Sequence, residues 1–260
     1  MKLLEYNLGE GVRAFSTTRE GGVGAGAYAG FNITHYCGDR PEAVAQNRVT
    51  LCAELGVSDD RLLLPRQTHG CEVLCIDEAF LALSPEEQTS LLHGKDAVVT
   101  EVPQLCIGVS TADCVPVLLC DAVKGVVAAV HAGWRGTVAR IVDKTLQTLQ
   151  TRYGCSLSDV KAVIGPSISL DAFEIGDEVY DAFAEAHFPM EKIARRYGEK
   201  WHIDLWEANR LQLIACGVPA DAIEVCGVCT FARCDEFFSA RRLGINSGRI
   251  FNGVMLLDVR

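Results

Sequence analysis

The chain has 260 residues, and its 24 Lys and Arg residues against 34 Asp and Glu residues give a net charge of −10 at pH 7. Hydrophobic residues make up 49% of the sequence and charged residues 22%, which excludes a disordered or collagen-like chain. The acidic balance excludes a surface built as a whole for duplex nucleic acid, because such surfaces bind phosphates through Lys and Arg.

The first ten residues carry two glutamates, Glu5 and Glu10, which interrupt any apolar stretch typical of a signal peptide. The longest apolar runs, residues 105–120 and 122–130, contain charged residues and predict no membrane span. We therefore expect a cytoplasmic protein in which the twelve cysteines are reduced thiols. Small molecules are the expected partners, without nucleic acid or membrane, and the oligomeric state stays open, with a monomer expected.

The first part of the chain predicts strands at residues 11–17 and 72–76 and a helix at 43–55, where apolar residues recur at helical spacing. Residues 19–31 form a glycine-rich loop that nominally fits the G-x-G-x-x-A pattern of dinucleotide sites. Such a site must follow an apolar strand and begin a helix, whereas polar residues flank this loop on both sides. The loop is therefore predicted to be mobile and not to bind a dinucleotide.

The middle of the chain contains four short apolar runs, which predict strands covered on both faces. They lie at residues 97–100, 105–110, 115–120 and 125–130. An amphipathic helix is predicted over 137–153, ending at Gly154. Further strands are predicted at 161–164, 223–225 and 249–258, and further helices at 177–187 and 205–216. This order predicts one mixed α/β domain over residues 1–260.

Polar residues interrupt the apolar pattern in three segments, residues 66–70, 111–116 and 131–137, each at the end or start of a predicted strand. His69, Cys114 and His131 from these segments are able to converge on one metal ion. Two imidazoles and one thiolate suit zinc, and three protein ligands leave a fourth position for water or substrate. Each residue alone is also compatible with a structural role, since single histidines and cysteines usually belong to the folded core.

Gly133 and Gly136 flank a predicted helix start just after His131, where unpaired backbone N–H groups favour an anion. Arg135 is a candidate to bind a phosphate group there with bidentate geometry, and so are three arginines elsewhere. These are Arg48, Arg241 and Arg242. The alternative is that each arginine pairs with one of the surplus carboxylates.

Several motifs together resemble the bacterial laccase-domain family, also called multicopper polyphenol oxidoreductase-like or peptidoglycan editing factor proteins. The family pattern includes Q-x-H-G, T-A-D-C-x-P and H-A-G-W-R-G-T segments, and an early N…GD…NR pattern. The matching residues are 67–70, 111–116 and 131–137, then 164–166 with 173–176, 229–230 with 237–242, and Asn32, Gly38, Asp39, Asn47 and Arg48. The resemblance covers nearly the whole chain.

The resemblance implies a layered sandwich in which mixed β-sheets are packed between helices. It implies a catalytic zinc on His69, Cys114 and His131, with copper as the alternative metal. The implied activities are phosphorolysis of adenosine, inosine or methylthioadenosine and deamination of adenosine, together with a role in editing peptidoglycan precursors. The chain departs from the family where Ser167, Ser169 and Asp171 replace frequent cysteines, so no role for a thiol transfers to that segment.

The site roles predicted on this basis involve few residues. Cys114 is predicted to be catalytic as a metal ligand, and a nearby carboxylic acid is predicted to protonate the nitrogen that leaves during deamination. Asp113 is the nearest carboxylate in sequence, although strand alternation would point it away from Cys114, and Glu174 is its rival. Substrate contacts are predicted for Asn32, Arg48, Gln67 and Arg135, with phosphate held by the two arginines.

Three alternative functions remain open at this point. A copper-dependent polyphenol oxidase would use the same two histidines and cysteine, but several copper sites need more histidines than the six present. A metal-free cysteine hydrolase would use Cys114 as nucleophile and a histidine as base. A non-catalytic partner in cell-wall editing would hold zinc only as a structural ion.

Overall fold

A computed structural model describes residues 1–258, and residues 259 and 260 lie outside the described part. Nine α-helices occur in residues 1–258. They are α1 (Pro41–Leu55), α2 (Glu78–Leu81), α3 (Pro85–Leu92), α4 (Trp134–Val138), α5 (Ile141–Tyr153), α6 (Asp177–Glu185), α7 (Met190–Ile193), α8 (Leu205–Cys216) and α9 (Ala240–Leu243). No helix in this part of the chain combines the length and the apolar character needed to cross a membrane.

Fourteen strands in the same residues form three sheets. In chain order they are β1 (Leu3–Tyr6), β2 (Val12–Thr17), β3 (Leu62–Leu63), β4 (Val73–Ile76), β5 (Ala97–Thr100), β6 (Cys106–Thr111), β7 (Val115–Asp121), β8 (Val126–Ala132), β9 (Val160–Ile164), β10 (Glu174–Ile175), β11 (Ala194–Tyr197), β12 (Lys200–Ile203), β13 (Ile223–Val225) and β14 (Ile250–Leu256). The three strand orders are β1-β2-β14-β6-β3, β13-β9-β7-β8-β5-β4 and β10-β12-β11.

The six-stranded sheet is mixed, with antiparallel pairs at its centre and parallel pairs at its edges. Strand β7 pairs antiparallel with β8 and β9, whereas β4 pairs parallel with β5 and β13 with β9. Every residue of β7 and β8 is buried, as expected for continuous apolar runs covered on both faces. The register places Pro116 opposite His131, so the start of β7 lies beside the end of β8.

The two large sheets pack face to face and each is covered on its outer face by helices. Residues such as Val109 and Val254 of one sheet share a core cluster with Leu118 and Ala129 of the other. Helices α5 and α8 cover the outer face of the six-stranded sheet, and α1 covers the five-stranded sheet against Phe15 and Phe251. The predicted mixed α/β sandwich with sheets between helices is thus confirmed.

The structure differs from the sequence prediction in the break of one helix and in several elements that were not predicted. The helix predicted over 137–153 is broken, because Arg140 adopts a left-handed conformation with φ 62° between α4 and α5. The Arg140 guanidinium donates to the Ala186 carbonyl and lies over Phe188, which holds the break in place. The elements that lie where none was predicted are strands β1, β3 and β10, the hairpin formed by β11 and β12, and helices α2, α3, α7 and α9. The other predicted helices and strands occur within a few residues of their expected bounds.

Candidate metal centre

His69, Cys114 and His131 meet at one end of the six-stranded sheet. His69 lies in the loop before β4, Cys114 lies in the bend that joins β6 to β7, and His131 lies near the end of β8. One ligand atom from each side chain lies within 4.8 Å of the other two. Two imidazole nitrogens and a thiolate are a donor set that suits zinc or copper, so the predicted convergence is present in the structure.

A buried carboxylate, Asp96 at the start of β5, organises two of these three residues. One oxygen lies 2.7 Å from His131 Nδ1 and also accepts the His69 backbone N–H, at 3.0 Å. The other oxygen accepts the backbone N–H groups of Thr68 and Gly70. Because Nδ1 of His131 is held by Asp96, Nε2 is the ring nitrogen left to bind a metal.

The backbone around the three residues is tightly constrained. His69 and Asp113 both have positive φ angles, 63° and 87°, which non-glycine residues rarely adopt. Gly133 follows β8 at a point where an added Cβ would lie 3.0 Å from Cys114 Sγ and 3.3 Å from His69 Cδ2. The φ of −62° suits any residue, so what limits residue 133 is space: a side chain there would require Cys114 and His69 to shift by a few tenths of an ångström.

The electrostatics of the site favour a thiolate beside an imidazolium. Burial alone would raise the pKa of Cys114, but the charges and hydrogen bonds of His131 and His69 outweigh burial and lower it. Burial would lower the pKa of His131, and the charge of Cys114 and the hydrogen bond to Asp96 raise it instead. A low thiol pKa favours the deprotonated form of Cys114, which is the form that binds metals.

The three residues line a cavity of about 210 Å³. Tyr36, Ala240 and Ile245 give this cavity apolar surface, and Arg249 gives it a positive charge. The Arg249 guanidinium donates to backbone carbonyls of Ile245, Ser247 and Gly248, so it also holds the loop that borders the cavity.

The sequence analysis predicted no role in the site for Tyr36, Asp96 and Arg249. Asp96 and Arg249 each stand directly next to an apolar strand, as Asp113 does, and this position was the sequence feature that could have indicated a role in the site.

The two predicted acids lie outside this cavity lining. Asp113 accepts a hydrogen bond from Thr230 Oγ1 on one oxygen, at 2.7 Å, and from the Arg241 backbone N–H on the other, at 2.6 Å. Its carboxylate therefore joins the bend that carries Cys114 to two C-terminal segments. Glu174 is exposed on β10, with its carboxylate 3.9 Å from Lys200 Nζ, and the structure does not bring it to the cavity.

Of the four predicted substrate contacts, only Gln67 lines the cavity. Its side-chain amide forms two hydrogen bonds with the backbone of Ser110. Asn32 is fully buried and accepts the backbone N–H groups of Thr34 and Arg249. Arg48 pairs with Asp59 at 2.8 Å, and Arg135 is exposed with its guanidinium over Trp134. The structure therefore separates the two arginines predicted to hold phosphate from the cavity.

Substituting Gly133 with alanine is expected to weaken metal binding while the protein remains folded. The backbone conformation suits alanine, but the new methyl group would crowd Cys114 Sγ, and overpacking of about 1–3 kcal/mol corresponds to about 5- to 150-fold in affinity. Titration with a zinc-sensitive competitor dye measures the change. Val123→Ala, in the turn at the opposite end of β7, is the control. Wild-type affinity in Gly133→Ala would contradict the proposed packing.

Cys114 is expected to be alkylated by iodoacetamide before the buried Cys106 and Cys120 in protein treated with a chelator at pH 7. Its pKa is lowered, whereas burial raises the pKa of Cys120 to about 12 and that of Cys106 further, so both remain protonated. We expect labelling at least about tenfold faster at Cys114, measured by peptide mass spectrometry. Added zinc should protect it, and equal labelling with and without zinc would argue that the thiol binds no metal.

Comparisons with known proteins place these features in a family. The family model described as multi-copper polyphenol oxidoreductase laccase matches residues 13–257, so the chain belongs to this laccase-like family. The solved structure of YlmD from Geobacillus stearothermophilus superposes with a TM-score of 0.89 at 30% identity, covering 96% of this chain and 93% of that one. The resemblance drawn from the motifs is thereby confirmed.

Two similar relatives carry names that describe an activity. A purine nucleoside phosphorylase from Bacteroides thetaiotaomicron is 50% identical over 244 residues, which are 93% of this chain and 90% of the relative. Adenosine deaminase RL5, from an unknown prokaryotic organism, is 50% identical over 247 residues, 94% of each chain.

Proposed function

We propose that this protein is a zinc-dependent enzyme acting on purine nucleosides. It carries out phosphorolysis of adenosine, inosine and methylthioadenosine and deamination of adenosine. The observation that carries the proposal is the meeting of His69, Cys114 and His131 within 4.8 Å beside a cavity. The similarity to relatives named for both activities supports the same substrate class.

The three donor atoms, two imidazole nitrogens and one thiolate sulfur, favour zinc as the bound metal. Two neutral imidazoles and a thiolate with an open fourth position are typical of catalytic zinc. When bound there, zinc would supply a Lewis acid that polarises a substrate atom or acidifies water. Asp96 contributes by holding Nδ1 of His131, which orients the other nitrogen and makes the ring a better ligand.

The cavity beside these ligands suits a small aromatic substrate. Tyr36, Ala240 and Ile245 offer apolar surface for a flat base, and the Tyr36 hydroxyl is fixed by hydrogen bonds to Pro65 and Gln67. Arg249 is the charged residue placed to attract the anionic co-substrate needed for phosphorolysis. We assign this contact to Arg249, because Arg48 and Arg135 lie away from the cavity lining.

The proposed roles of the two carboxylic acids follow from their contacts. Both oxygens of Asp113 already accept hydrogen bonds, so its proposed role is to position Cys114 and the segment that begins at Arg241. Asp96 has a matching role for His69 and His131. Glu174, exposed on β10, is assigned no part in the reaction.

Product analysis by chromatography tests the proposed function. Purified protein is incubated with adenosine, with and without phosphate. Without phosphate, deamination yields inosine and ammonia. With phosphate, phosphorolysis additionally yields ribose 1-phosphate together with adenine from adenosine and hypoxanthine from inosine. Absence of all these products from metal-loaded wild-type protein would refute the proposal.

Two rival enzymes are distinguished by different observations. A multicopper oxidase needs several copper sites. Within residues 1–258, a single group of three or more His, Cys, Asp or Glu side chains could hold a metal ion, and it consists of His69, Cys114 and His131. A metal-free cysteine hydrolase is favoured by the lowered pKa of Cys114 next to two histidines. A hydrolase of that type would keep its activity in the presence of a chelator, whereas the zinc enzyme would lose it.

A role in peptidoglycan precursor editing is a further part of the proposal, resting on the family resemblance. An alternative to the enzyme is a non-catalytic partner in peptidoglycan editing, in which zinc would be a structural ion. A deletion strain complemented with Cys114→Ser separates the two versions. If editing needs catalysis or the bound metal, the variant fails to restore normal peptidoglycan, whereas restoration would exclude a need for Cys114.

A further inference from the structure

A second cavity, of about 540 Å³, lies beside the candidate metal centre and shares no lining residue with it. Its polar lining consists of Arg66, His35, His93, Ser90 and Thr89, whose hydroxyl donates to the Pro85 carbonyl, and Leu64 and Leu92 supply its apolar lining. No carboxylate is among its lining residues in the described part of the chain. A cavity lined by a cation and several N–H and O–H donors is unexpected in a chain with a net charge of −10.

The side chains of Arg66, His35 and His93 are all exposed and free to bind a ligand. Within residues 1–258, the Arg66 guanidinium takes part in no hydrogen bond, ion pair or aromatic contact, and only its backbone is bonded. Most other arginines of the chain are engaged, as Arg48 is with Asp59 and Arg152 with Asp77. A guanidinium exposes five donors in a planar fork that matches the oxygens of a phosphate group.

The backbone near these side chains is already satisfied and does not compete for them. The Arg66 N–H donates to the Leu92 carbonyl, and the Gly94 N–H donates to the Arg66 carbonyl. The His93 N–H donates to the carbonyl of Ser90 in the last turn of α3. Unpaired carbonyls at the end of a helix attract cationic side chains. Because the Leu92 and Ser90 carbonyls already accept backbone N–H groups, they compete less for the Arg66 and His93 side chains.

Two arginines, Arg48 and Arg66, lie close enough to His35 for their positive charges to act on its imidazole. The pKa of His35 is lowered, first by burial and then by the positive charges of Arg48 and Arg66. Arg48 is the larger of the two charge contributions but is paired with Asp59, whereas Arg66 has no acidic partner in residues 1–258. An anion bound next to Arg66 would relieve the repulsion that His35 experiences.

We propose that this cavity is a binding site for a phosphate group, with Arg66 as the charged anchor and His35 and His93 as additional donors. Charge-assisted hydrogen bonds of this kind are shorter and stronger than neutral ones. The group is either inorganic phosphate or the phosphate of a nucleoside monophosphate, which share the same chemistry.

The position of the cavity relates it to the metal centre. His35 and Arg66 are each followed by a residue that lines the other cavity, Tyr36 and Gln67 respectively. The two cavities therefore lie on either side of the same two backbone segments. The proposal does not depend on the proposed catalytic function, since phosphate binding is measurable without turnover.

Calorimetric titration with inorganic phosphate and with adenosine 5′-monophosphate tests the proposal. The Cys114→Ser, Arg249→Met double variant is used as the background, so that neither bound metal nor the phosphate contact assigned to Arg249 contributes. We expect at least about tenfold weaker binding of one of these probes when Arg66 is changed to methionine. His93→Gln should weaken binding less, because a glutamine still donates a hydrogen bond.

Arg61→Met is the matched control, since Arg61 lines a different cavity together with the carboxylate-bearing Asp60 and Glu78. It should bind both probes as the background protein does. Arg66-dependent binding of inorganic phosphate identifies free phosphate as the ligand, and Arg66-dependent binding of the monophosphate alone identifies a nucleotide. Equal affinities in Arg66→Met and Arg61→Met for both probes, or no binding of either probe to the background protein, would overturn the proposal.

Discussion

Replacing Cys114 with serine is expected to remove the bound metal and nearly all turnover of adenosine. A hydroxyl is a poor substitute for the thiolate that completes the ligand set. A catalytic metal contributes several kcal/mol to the stabilisation of the transition state, so we expect kcat/KM to fall at least about a thousandfold. Metal content by mass spectrometry and product formation by chromatography are measured on the same sample.

Cys216→Ser is the control, because Cys216 ends helix α8 and its burial raises the pKa of its thiol to about 11, typical of a cysteine with a structural role. This variant should keep both metal and activity. If Cys114→Ser retains metal and turnover at wild-type levels, the metal centre is elsewhere or absent. If it retains metal but loses turnover, Cys114 acts as a nucleophile and the hydrolase alternative gains support.

Removal of the Asp96 carboxylate is expected to have the largest effect on stability. The side chain is fully buried and accepts three backbone N–H groups in addition to bonding His131. Asp96→Ala leaves these donors without a partner, and breaking a buried ion pair of this kind costs about 3–5 kcal/mol. Urea unfolding of metal-free protein measures the loss without a contribution from metal binding.

Asp96→Asn separates the two effects of this residue. Asparagine keeps the shape and an acceptor oxygen but loses the charge, so the variant should fold while binding zinc about 10–100-fold more weakly. Asp121→Asn is a matched control, since Asp121 is also a buried acid and is the last residue of β7, at the end far from Cys114. Unchanged zinc affinity in Asp96→Asn would contradict the orienting role given to Asp96.

The pH dependence of stability gives a further test of Asp96. Burial alone would raise its pKa, but the hydrogen bond and charge of His131 and the backbone N–H groups lower it. A carboxyl group with a lowered pKa stabilises the fold above its unfolded pKa of about 3.9, and this stabilisation is lost as the pH falls toward the lowered value. Between about pH 5 and pH 2, wild type should therefore lose more stability than Asp96→Asn, and parallel curves would refute the assignment.

The sequence was most informative where a polar residue interrupts a buried strand. Cys114 and His131 border such strands, and the antiparallel pairing of β7 with β8 brings them together. The apolar runs also predicted the central strands, because strands covered on both faces have a distinct pattern. Arg140 shows a limit of periodicity, since the apolar spacing continues across a break that tertiary contacts with Ala186 and Phe188 stabilise.

Residues that act through long-range contacts were not predictable from local pattern. Asp96 bonds residues 26 to 35 positions away in sequence, and no spacing rule connects them. Arg48 and Asn32 matched the family motif, yet their partners are Asp59 and the backbone around Arg249, which only the folded chain brings near. A match to the family motif therefore did not show whether a residue lines the cavity, as Gln67 does, or supports the surrounding structure, as Arg48 and Asn32 do.

We propose above that the imidazoles of His69 and His131 and the thiolate of Cys114 bind a single zinc ion. X-ray absorption spectroscopy combined with elemental analysis, on protein purified without added metal, tests it most directly. We expect about one zinc per chain, with sulfur and nitrogen donors in the first coordination sphere and loss of the sulfur contribution in Cys114→Ser. Stoichiometric copper with a blue absorption band, or zinc whose coordination is unchanged in Cys114→Ser, would contradict it.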